Sequence, residues 1–155
     1  MKTKILTVLL LSASSLLARI GETQDQCIAR YGTALMSDAK TNMSLFQKGG
    51  MDITAFYRDG KVECISYTKS ERDALDKPIK MSMTEIDALL SANGSVSKWN
   101  KTKSNPIIQN WTNEESGAVA SYRSLDRILL IMTKECMQRT IEESKAKEKK
   151  ALEGL

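Results

Sequence analysis

The sequence predicts an α+β fold, in which two αβββ units form an antiparallel sheet with helices on one face, followed by a charged C-terminal helix. Three observations predict it. Two capping boxes, Thr23-x-x-Gln26 and Ser82-x-x-Glu85, each open a short segment of apolar helical period. Each of these is followed by strand-like segments separated by turns rich in glycine, asparagine or aspartate. From residue 135 onward, lysines and glutamates alternate in the pattern of a solvated helix.

Taken in chain order, residues 1–18 read as a secretory signal peptide. Lys2 and Lys4 make the positive start, Ile5 to Leu11 is apolar, and Ser12 to Ala18 supplies small residues, so cleavage is expected after Ala18. The apolar run is too short to span a bilayer comfortably, and no cysteine follows it that could take a lipid. No later segment is apolar for long enough to cross a membrane. The expected location is therefore secreted or periplasmic.

The first unit covers residues 19–69. Its helix carries Cys27, Ile28 and Tyr31 on one side and stops at Gly32, where a left-handed residue suits a helix end. Met43 to Gln47 is a strand and Gly49-Gly50 a turn. Met51 to Arg58 and Lys61 to Thr68 form a hairpin about Asp59-Gly60, a strong two-residue turn signal. Residues 70–80, with Pro78, link the halves.

The second unit, residues 81–134, repeats the pattern. Its helix carries Ile86, Leu89 and Leu90, with Met83 at similar spacing, and ends at Gly94. The strands are Ile107 to Thr112, Ala118 to Arg123 and Ile128 to Thr133. The charged C-terminal helix, 135–155, is expected to fray.

A two-residue loop at Asp59-Gly60 sets Tyr57 opposite Val62, Ala55 opposite Cys64 and Ile53 opposite Ser66. That side is the more apolar and should meet the helix. Alternation then puts Phe56, Thr54, Glu63, Ile65 and Tyr67 on the other face, where Val119, Leu130 and Met132 continue the strip and Trp111 borders it. Phe56, Ile65 and Tyr67, with Trp99 and Trp111, are the candidate binding residues. Either a partner docks on this strip or the C-terminal helix covers it through Met137 and Ile141. In the same register Cys27 and Cys64 come together, either as a disulfide or as two buried thiols, and Cys136 is left over.

The composition excludes much chemistry. Histidine is absent, which removes imidazole bases, histidine-activated nucleophiles and the commonest zinc ligand. No phosphate-cradling loop, metal-ligand cluster or diagnostic carboxylate pair occurs, so no catalytic residue, metal or cofactor is expected. Without Lys2 and Lys4 the formal charge falls from +4 to +2, and nucleic acid is not an expected partner. Lys98, Lys101 and Lys103 around Trp99 read as a surface loop rather than a polyanion site. The Asn-x-Ser/Thr triplets at Asn42, Asn93, Asn100 and Asn110 read as turn and strand residues.

Gly21, Thr23, Gln26, Cys27 and Gly32 fall at the spacing Gly-x-Thr-x-x-Gln-Val-x-x-x-x-Gly, with Cys27 in place of valine. This resembles the superfamily of the beta-lactamase inhibitory protein and the outer-membrane assembly lipoprotein BamE (SmpA/OmlA). In the second copy Met83-Thr84 is similar to the middle of the signature, while Ser82 replaces its glycine and Gly94 comes one residue late. The resemblance implies tandem helix-plus-sheet units with a concave sheet that grips a partner. The opening Arg-Ile-Gly-Glu-Thr is also similar to that of small secreted bacterial proteins. The expectation is an exported, non-catalytic protein-binding or inhibitory module of a bacterial envelope. Its rivals are a structural or assembly component acting through the C-terminal helix and, least favoured, a thiol or carboxylate enzyme. N-terminal sequencing of exported protein should find a start within a few residues of Arg19; a full-length N-terminus in a membrane fraction would contradict the leader.

Overall fold

The computed structural model describes residues 20–94, 98–102 and 104–153. The expected leader, 1–18, lies outside these residues, as does Lys103. The chain runs α1 (Gln24–Tyr31), β1 (Met36–Asp38), β2 (Met43–Lys48), β3 (Met51–Arg58), β4 (Lys61–Lys69), α2 (Met83–Ala92), β5 (Trp99–Lys101), β6 (Ile108–Asn113), β7 (Val119–Arg123), β8 (Ile128–Met132) and α3 (Lys134–Leu152). The fold is α+β: among the described residues there are three helices and one antiparallel sheet of eight strands in the order β1-β2-β3-β4-β8-β7-β6-β5.

Local chemistry explains the element ends. The Thr23 hydroxyl accepts from the Gln26 amide while the Gln26 side chain accepts from the Thr23 amide, and Ser82 and Glu85 make the same reciprocal pair. α1 stops at Gly32, whose φ of 94° suits only a residue without a Cβ and whose N–H donates to the Ile28 carbonyl. α2 ends at Asn93, one residue before the expected Gly94. Gly94 serves a different purpose: a Cβ there would stand 2.7 Å from Asn113 Nδ2, so the absence of a side chain lets α2's end approach β6. At the Asp59-Gly60 turn both residues have positive φ, 50° and 75°, which matches the twist of the hairpin strands they join.

Two sequence expectations are corrected here. Each half carries four strands rather than three, because β1 and β5 add a three-residue strand at either edge of the sheet. Strands so short show no alternation to read. The second correction is the register of the hairpin. Tyr57 does face Val62, but Phe56 then faces Cys64, Ala55 faces Ile65 and Ile53 faces Tyr67. Glu63 is the extra residue of a β-bulge. One inserted residue moves every later side chain of β4 to the other face.

The buried face of the sheet follows from this register. One row crosses it as Phe46, Ile53, Tyr67, Leu129 and Tyr122, and the next as Ser44, Ala55, Ile65, Ile131, Ala120 and Trp111. All eleven are buried, and together with Cys27 of α1 and Ile86 and Leu90 of α2 their apolar members form one core cluster. The Tyr31 ring of α1 lies 5.2 Å from that of Phe46. Two tyrosine hydroxyls on this face are satisfied from the α2 region: Asn93 Nδ2 donates to Tyr67 at 3.0 Å, and the Met81 amide to Tyr122 at 3.1 Å.

Ion pairs tie the linker and α2 to the sheet. Arg127, in the β7–β8 turn, pairs with Asp73 and donates to the Pro78 carbonyl at 2.7 Å. Lys69 at the end of β4 pairs with Glu85 in the first turn of α2. The hydrogen bond from Arg127 holds the Asp73 carboxyl down at about 2, and that from Lys69 does the same for Glu85.

Two outcomes follow from this architecture. Ile65 is fully buried, so Ile65→Ala should cost about 2–5 kcal/mol in urea unfolding, whereas Thr54→Ala on the other face should change stability by under about 0.5 kcal/mol. Equal small effects would contradict the bulge. The Asp73 and Glu85 carboxyls titrate below their unfolded values of about 4. Their contribution is therefore complete above that pH and is lost as pH falls towards 2. Arg127→Met should raise the Asp73 pKa in an NMR titration and shrink this acid-sensitive part of stability; an unmoved Asp73 would show that the pair is not formed in solution.

Candidate functional site

The outer face of the sheet is where the structure leaves apolar side chains incompletely covered. One row runs Met43, Phe56, Cys64, Met132, Val119 and Thr112, all half-buried. The root of α3 lies over part of it. Thr133 caps α3 by accepting from the Cys136 amide at 3.0 Å, while its own amide donates to the Glu63 carbonyl at 2.9 Å. The Glu63 carboxylate takes Arg139 of α3. The bulge residue thus holds the helix root through both its backbone and its side chain.

Met137, one turn into α3, closes over Thr112, Val119, Ser121 and Met132 to leave an open groove of about 430 Å³. Its lining is largely apolar, so it suits an apolar side chain of a partner better than a polar small molecule. From Thr140 to Glu153 every residue of the chain is exposed, so α3 leaves the sheet after its second turn.

A second cavity, of about 340 Å³, lies by α1 and the β1–β2 edge. It is lined by Gln24, Ser37, Asp38, Asn42, Tyr57 and Asp59 among others. Three of its polar groups pair with one another, the buried Ser44 hydroxyl lying 3.2 Å from Gln24 Nε2 and 3.0 Å from Ser37 Oγ, and Asp38 takes the Thr41 hydroxyl and the Lys40 amide. The buried Tyr57 hydroxyl, which also lines the cavity, has no hydrogen-bond partner in the protein. Among the described residues no three or more Cys, Asp or Glu stand together as metal ligands, and no helix is long and apolar enough to cross a membrane.

The five candidate binding residues are not brought together. Ile65, Tyr67 and Trp111 are 0 %, 2 % and 5 % exposed and belong to the core, which corrects their expected place on a working surface. Trp99, on edge strand β5, is half-buried and packs against the same core. Phe56 alone stands on the outer face. Val119, Leu130 and Met132 lie there too, since β7 and β8 carry no bulge to disturb their alternation. Thr112 lines the groove too and was missed, because the end register of β6 cannot be read from periodicity; Met137, expected over this strip, lines the groove as well. Near Trp99, Lys101 places its ammonium 5.6 Å from the Trp111 ring, a cation–π contact within the protein.

The cysteines are also redistributed. Cys27 is buried under the sheet's core face, while Cys64 is on the outer face, so the expected Cys27–Cys64 meeting does not occur. Cys64 instead lies on the face over which Cys136 and the root of α3 come back. Burial pushes Cys64 up to about 12 and raises Cys27 and Cys136 as well. All three are therefore protonated at neutral pH, and no thiolate nucleophile is preformed.

No protein-family profile and no curated protein sequence matches the chain. Among solved structures, an extracellular protein containing a SCP domain from Bacillus anthracis aligns over 77% of this chain and 46% of its own, at 10% identity and a TM-score of 0.41. A cysteine-rich secretory protein from Staphylococcus aureus aligns over 76% and 46%, at 9% identity and the same TM-score. The chain spans about half the length of either protein. A TM-score of 0.41 assigns neither a family nor an activity. The resemblance to the beta-lactamase inhibitory protein and BamE is corrected: no family profile and no curated sequence of that superfamily matches the chain. Three of its five residues, Thr23, Gln26 and Gly32, make a capping box and a helix stop, chemistry that any short capped helix can use.

Proposed function

We propose that the chain is an exported, non-catalytic binding or inhibitory module of a bacterial envelope, and that the groove between Met137 and the outer face receives an apolar side chain of a partner protein. The groove is the observation that carries the reading: about 430 Å³ of open, mainly apolar space on a face whose apolar row is only half-buried. Export is supported by the charged start, apolar run and small-residue end of residues 1–18. The lack of histidine and the raised thiols support a non-catalytic role.

We also read the chain as a duplicated unit with its two capped helices on one side of the sheet. Support comes from the matching capping boxes, the sequence helix-then-four-strands in each half, and the mirrored strand order about β4 and β8. A specific observation favours a second reading, a structural or assembly component acting through α3: its last turns are wholly exposed and free to meet another chain.

Two variants separate these readings. Val119→Lys places a charge in the groove, and deletion of residues 141–155 removes the exposed turns while keeping the root that Arg139 anchors. Each would be used as bait against the extracellular and envelope fractions, with bound proteins quantified against wild type. The groove reading expects a partner that Val119→Lys loses by at least tenfold and the deletion retains. The opposite pattern would support α3. A partner retained by both variants would overturn the two surfaces together.

A further inference from the structure

We propose that Cys64 and Cys136 form a disulfide that fastens the root of α3 to the outer face of the sheet, leaving Cys27 as a buried free thiol. The fold brings the pair together. The bulge at Glu63 turns Cys64 outward and sets it opposite Met132 of β8. Four residues beyond Met132, after the Thr133 cap, Cys136 comes back over the sheet in the first turn of α3, where it is buried. Each thiol is near enough to the other to act on its proton affinity. The approach is held on either side of the pair, by the Thr133 amide on the Glu63 carbonyl and by Arg139 on the Glu63 carboxylate. Cys27 lies beyond the sheet, among the core residues, and cannot compete for either partner.

The chemistry is thiol–disulfide exchange with a small-molecule disulfide as oxidant. Cys64 loses its proton and attacks one sulfur of the donor, whose other sulfur leaves as a thiolate and takes up a proton. Cys136 then attacks the Cys64 sulfur of the mixed disulfide and displaces the second donor thiol in the same way. Two protein S–H bonds and one donor S–S bond become one protein S–S bond and two donor S–H bonds. Burial disfavours both thiolates in the finished fold, so the exchange belongs to the folding chain, as β4 and β8 pair and before α3 seals the site. The closed loop contains α2 and β5 to β8, so the bond restricts the unfolded chain over the whole second half. In the cell it needs an oxidising compartment, and to that extent it rests on the export reading. The pairing itself can be tested without it.

The test is to refold the full chain from denaturant in mixed reduced and oxidised glutathione, alkylate it, and map tryptic peptides without reduction. The three cysteines fall on separate peptides, Ile20–Arg30, Val62–Lys69 and Glu135–Arg139. The expected result is Val62–Lys69 linked to Glu135–Arg139 and Cys27 alkylated, with a higher urea midpoint than the dithiothreitol-reduced protein. Cys27→Ser should keep the link and the shift, and Cys136→Ser should lose both. Three alkylated thiols in a protein with the reduced form's circular dichroism, or any link through Cys27, would overturn the proposal. Neither result bears on export, which N-terminal sequencing decides separately.

Discussion

The extra residue in β4 governs both faces of the sheet. Because Glu63 has no partner across the hairpin, the side chains after it shift by one. Ile65 and Tyr67 turn into the core, and Cys64 turns out. The Glu63 carbonyl also receives the Thr133 amide just where β8 ends and α3 begins. The Glu63 side chain, left on the outer face, meets Arg139. The burial of the core row, the position of the helix root and the meeting of two thiols are consequences of the same irregularity. Removing it would turn Ile65 and Tyr67 to solvent and Cys64 into the core.

The sheet's centre shows why the two halves are held as one body. β4 and β8 pair through Cys64–Met132, Ile65–Ile131, Ser66–Leu130 and Tyr67–Leu129. Ile65, Tyr67, Leu129 and Ile131 are each at most 2 % exposed. Full burial of one such side chain is worth roughly 1.5–3 kcal/mol, so separating the strands would forfeit several such contributions and expose two long strand edges. α2 then reinforces the junction with polar contacts. Its C-terminal Asn93 satisfies Tyr67 of the first half, and the Met81 amide just before it satisfies Tyr122 of the second. Lys69 and Glu85 add a charged pair between β4 and the start of the same helix. These contacts set α2 across the junction rather than within one half.

Elements whose signal is local were legible in the sequence. Thr23–Gln26 and Ser82–Glu85 announce their helices because a capping box is complete within four residues, and Asp59-Gly60 announces its turn because few other pairs accept two positive φ values. Strands β3, β4, β7 and β8 are long enough for alternation to show. What failed to show was non-local. β1 and β5 exist because β2 and β6 offer them an edge. The bulge is stabilised by Thr133 and Arg139, some seventy residues away from Glu63, and nothing near Glu63 signals it. The candidate site inherited that error: Ile65 and Tyr67 were placed by unbroken alternation, whereas Phe56, before the bulge, stands where alternation puts it. Val119 and Met132 were also legible, but the groove they line required Met137, whose position depends on the angle at which α3 leaves Thr133.

α3 shows how little tertiary support a helix needs once its first turn is made. Nucleation is the costly step, and here it is met by the Thr133 cap, the buried Cys136 and the Arg139–Glu63 pair. The remaining turns add one backbone hydrogen bond per residue, helped by the favourable helix propensity of lysine, glutamate and alanine and by local pairs such as Lys149–Glu153. Each exposed pair contributes little, so the distal turns depend on the root for their existence. A constraint at the root therefore acts along the whole helix. Loosening Cys136 or Arg139 would both open the groove beneath Met137 and melt the exposed turns, which couples the two candidate surfaces of the molecule through a single first turn.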